Sequence, residues 1–274
     1  MLCMIRRIVG ADNTRCLLLY ERNRAQLPFF LKSETMNFST LAKNYIRYRL
    51  KAKDEYSIHS PFMFDLFTQG LKTKFPKQVY RKLKKDWKAF ECKTSNLRLN
   101  LKHKNNLFIC RIATYFAPKQ IHIISDNYNN LALYLSVALP QSKILFFTQN
   151  AENISAIKQT ASEIGSANTE IHYAKNSERL LECLNASLKA DLVIIDCKKD
   201  VYDLQDTMER IVARCSENAV IILSDAFCNP AIEEQWEWFL RNNQIKVTAD
   251  FFLCKVAFLT QNPVKKQHYI LRTK

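Results

Sequence analysis

Two aspartates stand where this sequence could perform acid–base chemistry. Asp196 directly follows the apolar run 192–195, and Asp225 lies two residues after the run 219–223. A carboxylate at the end of a strand can take a proton from a bound substrate, or it can cap the helix that follows. Both interpretations stay open on the sequence alone. Two carboxylates with no third acid are weak support for a divalent metal site, so none is expected.

Polar residues also follow two other apolar runs. Residues 125–129 come after the run 120–124, and residues 148–150 come after the run 144–147. In open sheets of parallel strands, ligands bind beyond the carboxyl ends of the strands, where the strand order switches. These short polar segments are therefore the places where the sequence predicts a bound ligand.

The elements that would position these residues form a repeating pattern. A helix is predicted at 107–116, and apolar runs then alternate five times with amphipathic stretches, which predicts a parallel sheet covered by helices on both faces. Three strand-like runs near the C-terminus leave no room for helices, so hairpins of antiparallel strands are expected there. We predict a doubly wound, Rossmann-like α/β fold with a seven-stranded, mostly parallel sheet. Its five parallel strands are expected at 120–124, 144–147, 170–173, 192–195 and 219–223.

Positive charge is concentrated in the N-terminal third of the chain. Of the net charge of +15, residues 36–110 carry seventeen Lys and Arg against five Asp and Glu, whereas residues 111–274 carry eighteen of each. A basic stretch can bind phosphate backbones or anionic surfaces, or it can be a solvated helical face. We predict a poorly ordered extension at 1–35, a basic helical segment at 36–104 and an α/β domain at 105–274.

Helix signals divide the basic segment. An apolar stripe predicts one helix over 39–53. Ser60 followed by Pro61 is typical of a helix start, and that second helix is expected to end near Gly70. A third helix is predicted at 79–90.

Cysteine usage and missing signatures exclude several classes of protein. The nine cysteines form no Cys-x-x-Cys pair, which favours reduced thiols in a cytoplasmic protein over disulfides or a zinc site. No run of 18 apolar residues occurs, so neither a transmembrane helix nor a membrane partner is expected. The P-loop, Gly-x-Ser-x-Gly and His-Glu-x-x-His signatures are missing from the sequence, which disfavours the kinases and hydrolases that carry them.

The order of elements resembles that of the class I S-adenosylmethionine-dependent methyltransferases. Residues 119–135, which include Ile-Ile-Ser-Asp-Asn-Tyr-Asn-Asn, stand where that family has its first strand, cofactor loop and first helix. Residues 190–196 and 219–225 look like its fourth and fifth strands. Residues 56–62 contain Ile-His-Ser-Pro-Phe, which resembles a bacterial O-methyltransferase-like branch. The resemblance covers about residues 40–272.

The resemblance implies a site for S-adenosylmethionine with altered residues. The family's loop typically has Glu or Asp, then two glycines, where this chain has Ile123, Ser125 and Asn129. Thr148 stands where an acid of the second strand would bind the ribose hydroxyls. Loss of the glycines predicts backbone strain, and loss of the acid predicts weaker hydrogen bonds. The cofactor-binding residues implied are Ser125, Asn127, Asn129, Thr148 and Asp196.

Two functions are compatible with these features. One is methyl transfer from S-adenosylmethionine to an unidentified acceptor oxygen or nitrogen, with Asp225 or Asp196 assisting deprotonation of the acceptor. The other is a catalytically inactive protein of the same fold that binds a nucleic acid or an acidic partner through residues 36–104.

Overall fold

Eight strands form a single sheet in the computed structural model of the chain. They are β1 (Gln120–Ile124), β2 (Lys143–Thr148), β3 (Thr169–Tyr173), β4 (Ala190–Asp196), β5 (Cys215–Ser224), β6 (Ile245–Asp250), β7 (Cys254–Leu259) and β8 (Gln267–Ile270). Their order across the sheet is β3-β2-β1-β4-β5-β7-β6-β8. Strands β1 to β5 pair in parallel, and β7 runs antiparallel between β5 and β6.

The structure describes most of the α/β region and part of the basic segment. The described residues are 38–72, 75, 79–81, 97–125, 131–151, 154, 158, 168–196, 204–224, 231–259 and 265–272. The extension predicted at 1–35 and most of the helix predicted at 79–90 lie outside them.

Helices cover both faces of the sheet. They are α1 (Phe38–Lys51), α2 (Pro61–Asp65, continued by a π-helical turn at Leu66–Leu71), α3 (Leu97–Phe116), α4 (Leu131–Ala138), α5 (Ser177–Ala186), α6 (Leu204–Ala213) and α7 (Ala231–Arg241). Because successive strand residues point to opposite faces, the sheet has two apolar cores. One core is shared with α2, α3 and α4, and the other with α5, α6 and α7. Within the described part of the chain, no helix meets the length and hydropathy that a membrane span requires.

The observed sheet confirms the predicted fold class and corrects two details. The five parallel strands and the antiparallel β6–β7 pair are as expected. The sheet has eight strands rather than seven, and β8 pairs in parallel with β6 instead of forming a hairpin with β7. Leu259 at the end of β7 and Gln267 at the start of β8 both lie near the start of β6, since they pair with Ile245 and Val247, so β8 runs antiparallel to β7 and parallel to β6.

The described part of the basic segment belongs to the same core as the sheet. The backbone of Lys53 continues the sheet beyond β8, since its N–H donates to the Ile270 carbonyl at 2.8 Å and its carbonyl accepts from the Arg272 N–H at 2.9 Å. The Tyr48 hydroxyl donates to the carbonyl of Leu271. The N-terminal segment is therefore anchored to the edge of the sheet formed by β8.

Helix boundaries in this segment follow the predicted signals at α2 and depart from them at α3. The Ser60 hydroxyl caps α2 by accepting from the Met63 N–H at 3.4 Å, with Pro61 as the first helical residue. A Cβ at Gly70 would lie 3.1 Å from the ring of Tyr115, so glycine permits close packing of α2 on α3. The prediction that α3 begins at residue 107 is wrong, because the helix begins at Leu97.

Candidate cofactor site

Polar side chains meet at the carboxyl ends of the central strands. Ser125 directly follows β1, and Asp196 ends the neighbouring strand β4. The Ser125 hydroxyl donates to Oδ2 of Asp196 at 2.9 Å. Only 2% of the surface of Ser125 is exposed, so this buried hydrogen bond joins the carboxyl ends of β1 and β4. A bond to a carboxylate is stronger than one between neutral groups.

The backbone at Ser125 is unstrained, which corrects the sequence prediction. Among the described non-glycine residues, only Ala117 and Phe252 have a positive φ. The Ser125 N–H donates to the Phe147 carbonyl at 3.0 Å, so this residue extends the ladder between β1 and β2 in an ordinary conformation. The strain expected from replacing a glycine here is absent because the chain does not turn at this residue.

Thr148 occupies the end of β2, next to Ser125. The register that pairs Ile124 with Phe147 places these two hydroxyl residues side by side. Thr148 is fully buried, and its Oγ1 accepts from the Asn150 N–H at 3.1 Å. In place of the carboxylate that the resemblance implies, this strand end therefore carries a neutral hydroxyl that caps the following turn.

A second polar contact, which sequence reasoning missed, continues this row to β5. Ser224 ends β5 directly opposite Asp196. The side-chain amide of Asn105 on α3 donates to the Ser224 hydroxyl at 3.1 Å, and both residues are buried. The signal was the pair Asn105-Asn106 just before an apolar stretch, which the predicted helix start at residue 107 left outside the element.

Aromatic side chains flank the β6–β7 side of the same sheet edge. Phe108 of α3 contacts Phe251 at 5.0 Å between ring centroids, and Tyr48 of α1 contacts Phe252 at 5.3 Å. Burial, together with the nearby Asp250 carboxylate, raises the pKa of Tyr48 above its ordinary value, so its hydroxyl remains a protonated donor to Leu271. The N-terminal helix α1 thus lies beside the carboxyl end of β6.

The structure brings together only some of the predicted site residues. Ser125 and Asp196 are in contact, and Thr148 lies on the adjacent strand end. Asn127, Asn129 and Asp225 lie outside the described residues. Among the described residues, no group of three or more His, Cys, Asp or Glu side chains is arranged to hold a metal ion.

Comparison with known proteins adds information on the fold. No model of a protein family matches the sequence, and a search of curated proteins gave no match. Solved structures do match: the SAH-bound methyltransferase PaMTH1 from Podospora anserina has a TM-score of 0.53 and 13% identity, covering 86% of this chain and 98% of its own.

Two further solved structures show the same likeness. Cofactor-bound Rv0187 from MTB has a TM-score of 0.51 and 13% identity over 75% of this chain and all of its own. The SAH complex of an O-methyltransferase from Bacillus cereus has a TM-score of 0.50 and 9% identity over 72% and 96%. This chain has a class I methyltransferase fold. Its eight strands lie in the order β3-β2-β1-β4-β5-β7-β6-β8, with β8 at the edge of the sheet.

The ends of β1, β2 and β4 carry mostly neutral polar groups. Ser125 and Thr148 have buried hydroxyls, and Asp196 supplies the carboxylate among these three strand ends. Ile123, at the position of the family's first acid, is buried in the core of the sheet and contributes no polar group. A methyltransferase fold with this donor set would hold the cofactor with fewer charge-assisted hydrogen bonds.

Proposed function

We propose that this protein is an S-adenosylmethionine-dependent methyltransferase that transfers the methyl group to an acceptor oxygen or nitrogen. The observation that carries the proposal is the Ser125–Asp196 contact at the point where the strand order of the sheet reverses. Ligands of doubly wound folds bind at this switch point. Two of the structural neighbours are described as bound to SAH, which supports an adenosyl ligand in this fold.

Three residues at the strand ends have proposed roles. Asp196 and Thr148 hold polar groups of the cofactor, and Ser125 fixes the orientation of the Asp196 carboxylate through the bond at 2.9 Å. S-adenosylmethionine, when bound, supplies a methyl group made electrophilic by its sulfonium. The protein contributes mainly by holding donor and acceptor in line, and Asp225 or Asp196 takes the acceptor's proton.

Calorimetric titration with S-adenosylhomocysteine tests the proposal. We expect binding tighter than about 100 μM. Replacing Asp196→Asn should weaken it about tenfold, because a hydrogen bond to a charged group is lost. The matched control is Glu237→Gln, an exposed acid on α7 whose loss should leave binding unchanged. The absence of both binding heat and a thermal shift at millimolar ligand would reject the enzyme.

A second function, binding of nucleic acid without catalysis, is favoured by the surface of the basic segment. The outward face of α1 carries Ile46 and Leu50, the latter 82% exposed, beside the exposed cations Arg47 and Lys51. Tyr56, 85% exposed, follows in the next turn. An exposed aromatic ring near cations is suited to single-stranded nucleic acid, which can stack a base on the ring and pair its phosphates with the cations.

Binding of an RNA oligonucleotide measured by fluorescence anisotropy tests this second function. Affinity should fall steeply as salt rises, and Tyr56→Ala should lower it about tenfold. Tyr173→Ala, at an exposed tyrosine on the opposite edge of the sheet, is the control that should have no effect. Binding indifferent to salt would contradict this function, and binding of an acidic protein instead would identify a different partner.

A further inference from the structure

The two lateral edges of the sheet differ in their backbone pairing. At one edge, β8 is followed by the backbone of Lys53, which forms a bridge with Leu271. At the other edge, β3 pairs with β2 and, in the described part of the chain, with no other strand. An unpaired edge strand presents a row of backbone donors and acceptors to any other strand that approaches.

The backbone N–H and carbonyl of Ile171 point away from β2. The Asn168 carbonyl accepts from the Ile144 N–H, and the Ala174 N–H donates to the Thr148 carbonyl. Both positions therefore face β2. Since backbone direction alternates along a strand, position 171, an odd number of residues from both, directs its N–H and carbonyl away from β2.

The side chains of β3 are complementary to themselves when the strand is reversed. In an antiparallel pair centred on Ile171, Glu170 stands opposite His172 of the second copy, and His172 stands opposite Glu170. Both side chains lie on the same sheet face and are partly exposed, at 54% and 39%, and within one copy the Glu170 carboxylate also contacts His172 at 3.7 Å and Lys143 at 2.9 Å. The two Glu170–His172 pairs are not joined by backbone hydrogen bonds, so their side chains approach each other most closely.

The strand also lacks the features that usually prevent such pairing. Natural edge strands are protected by lysine, proline or a bulge. The sequence of β3 is Thr-Glu-Ile-His-Tyr, with no lysine or proline, and its register with β2 is uninterrupted. Ile171 is half-buried and Tyr173 is exposed, which leaves apolar surface along the other face of this edge.

We propose that β3 pairs antiparallel with β3 of a second copy of this chain, making a two-fold symmetric dimer with a continuous sheet. The two-fold axis passes through Ile171, where each copy donates its N–H to the other's carbonyl. Glu170 and His172 form two equivalent cross-strand pairs. A two-fold interface uses the same surface on both copies, and the order Glu-Ile-His satisfies this because each glutamate meets a histidine when the strand is reversed.

A charge-swap series followed by sedimentation equilibrium tests the register. The wild-type protein should dimerise within roughly 1–100 μM. Glu170→Lys and His172→Glu should each raise the dimer dissociation constant about tenfold or more, because the first removes the carboxylate partner of His172 from both pairs and the second sets two carboxylates opposite each other in both pairs. The double variant should restore dimerisation. Glu237→Lys, the same charge change on α7, is the control that should leave the dimer unchanged.

A thiol cross-linking pair tests the symmetry axis independently of charge. Opposed residues of such a pair lie about 5.5 Å apart between Cα atoms, so Ile171→Cys should cross-link to its counterpart with a short bifunctional reagent. Tyr173→Cys should not, since its counterpart would be displaced by four residues, or about 13 Å, along the strand. Circular dichroism should confirm that each variant is folded.

Three results would overturn the proposal. The first is a wild-type protein that stays monomeric throughout the concentration range. The second is a dimer insensitive to Glu170→Lys, which would place the interface on another surface. The third is cross-linking at Tyr173→Cys in place of Ile171→Cys, which would exclude this register.

Discussion

The interior of the sheet and the carboxyl ends of its strands differ sharply in character. Along their length the strands are lined by fully buried apolar side chains such as Phe146, Ile194 and Ile222. At their ends the same strands present hydroxyls and one carboxylate, at Thr148, Asp196 and Ser224. The interior keeps what the methyltransferase fold needs, whereas the ends depart from the acids and glycines that the resemblance implies.

The fold and the site therefore depend on separate residues. Burial of apolar area stabilises the sheet regardless of which polar group ends each strand. Replacing an acid by a threonine at a strand end changes how strongly a ligand is held without removing a core contact. A chain can therefore keep this fold while its ligand affinity changes by orders of magnitude.

The largest effect should come from breaking the interior. Phe146→Ala should lower the free energy of unfolding by about 3–5 kcal/mol, because it removes a buried ring and leaves a cavity. Urea denaturation measures this loss. Leu188→Ala is the matched control at an exposed apolar residue, where the loss should stay below about 0.5 kcal/mol. Similar losses in the two variants would contradict the assignment of Phe146 to the core.

A pH-dependent effect should also arise inside the sheet, at His122. Burial, and secondarily the nearby His172, lower the pKa of His122 to about 4. As pH falls below about 6.5 the unfolded chain takes up this proton before the folded protein does, so stability is lost between about pH 6.5 and 4. The loss should reach up to about 3 kcal/mol.

Urea denaturation at several pH values compares His122→Gln with the wild-type protein. The variant should lose less stability on acidification, and the exposed His59→Ala should behave as the wild type does. Parallel pH profiles for wild type and His122→Gln would show that this histidine does not titrate between the two states.

At the strand ends, removing the Ser125 hydroxyl should have a smaller effect on stability. Ser125→Ala breaks the bond to Asp196 and should cost about 1–2 kcal/mol in the free energy of unfolding. The comparison variant is Ser187→Ala, whose hydroxyl donates to the neutral carbonyl of Leu184 at 2.8 Å and should matter less. Equal costs would mean that the Asp196 carboxylate adds nothing to the bond.

The smallest effect is expected from a substitution that restores an acid at the end of β2. Thr148→Asp places a carboxylate where the resemblance implies one, and it should tighten binding of S-adenosylhomocysteine about tenfold by making a charge-assisted hydrogen bond. Thr148→Asn, which has the same shape without the charge, is the control. Calorimetry on both variants measures the difference, and equal affinities would argue that the ribose does not approach this strand end.

The apolar pattern of the sequence predicted the sheet because buried strands require apolar side chains. Apolar runs such as 192–195 are strands buried on both faces, and each of the five expected parallel strands is present. Capping chemistry likewise predicted the start of α2 at Ser60 and Pro61. These signals are local, so a single sequence carries them.

The parts that the sequence did not predict depend on contacts between distant segments. Nothing within residues 267–270 indicates that β8 pairs with β6, since the pairing depends on the path of the chain around that strand. The contact of Asn105 with Ser224 joins residues 119 positions apart. The unstrained backbone at Ser125 follows from its ladder bond to Phe147 on β2.

Hydrogen exchange with and without S-adenosylhomocysteine shows whether the carboxyl ends of these strands form a ligand site. Exchange should slow in peptides that contain Ser125, Thr148 and Asp196, and it should stay unchanged in the peptide that contains β3. Unchanged exchange at all three strand ends with saturating ligand, or protection confined to another surface, would contradict a ligand site there.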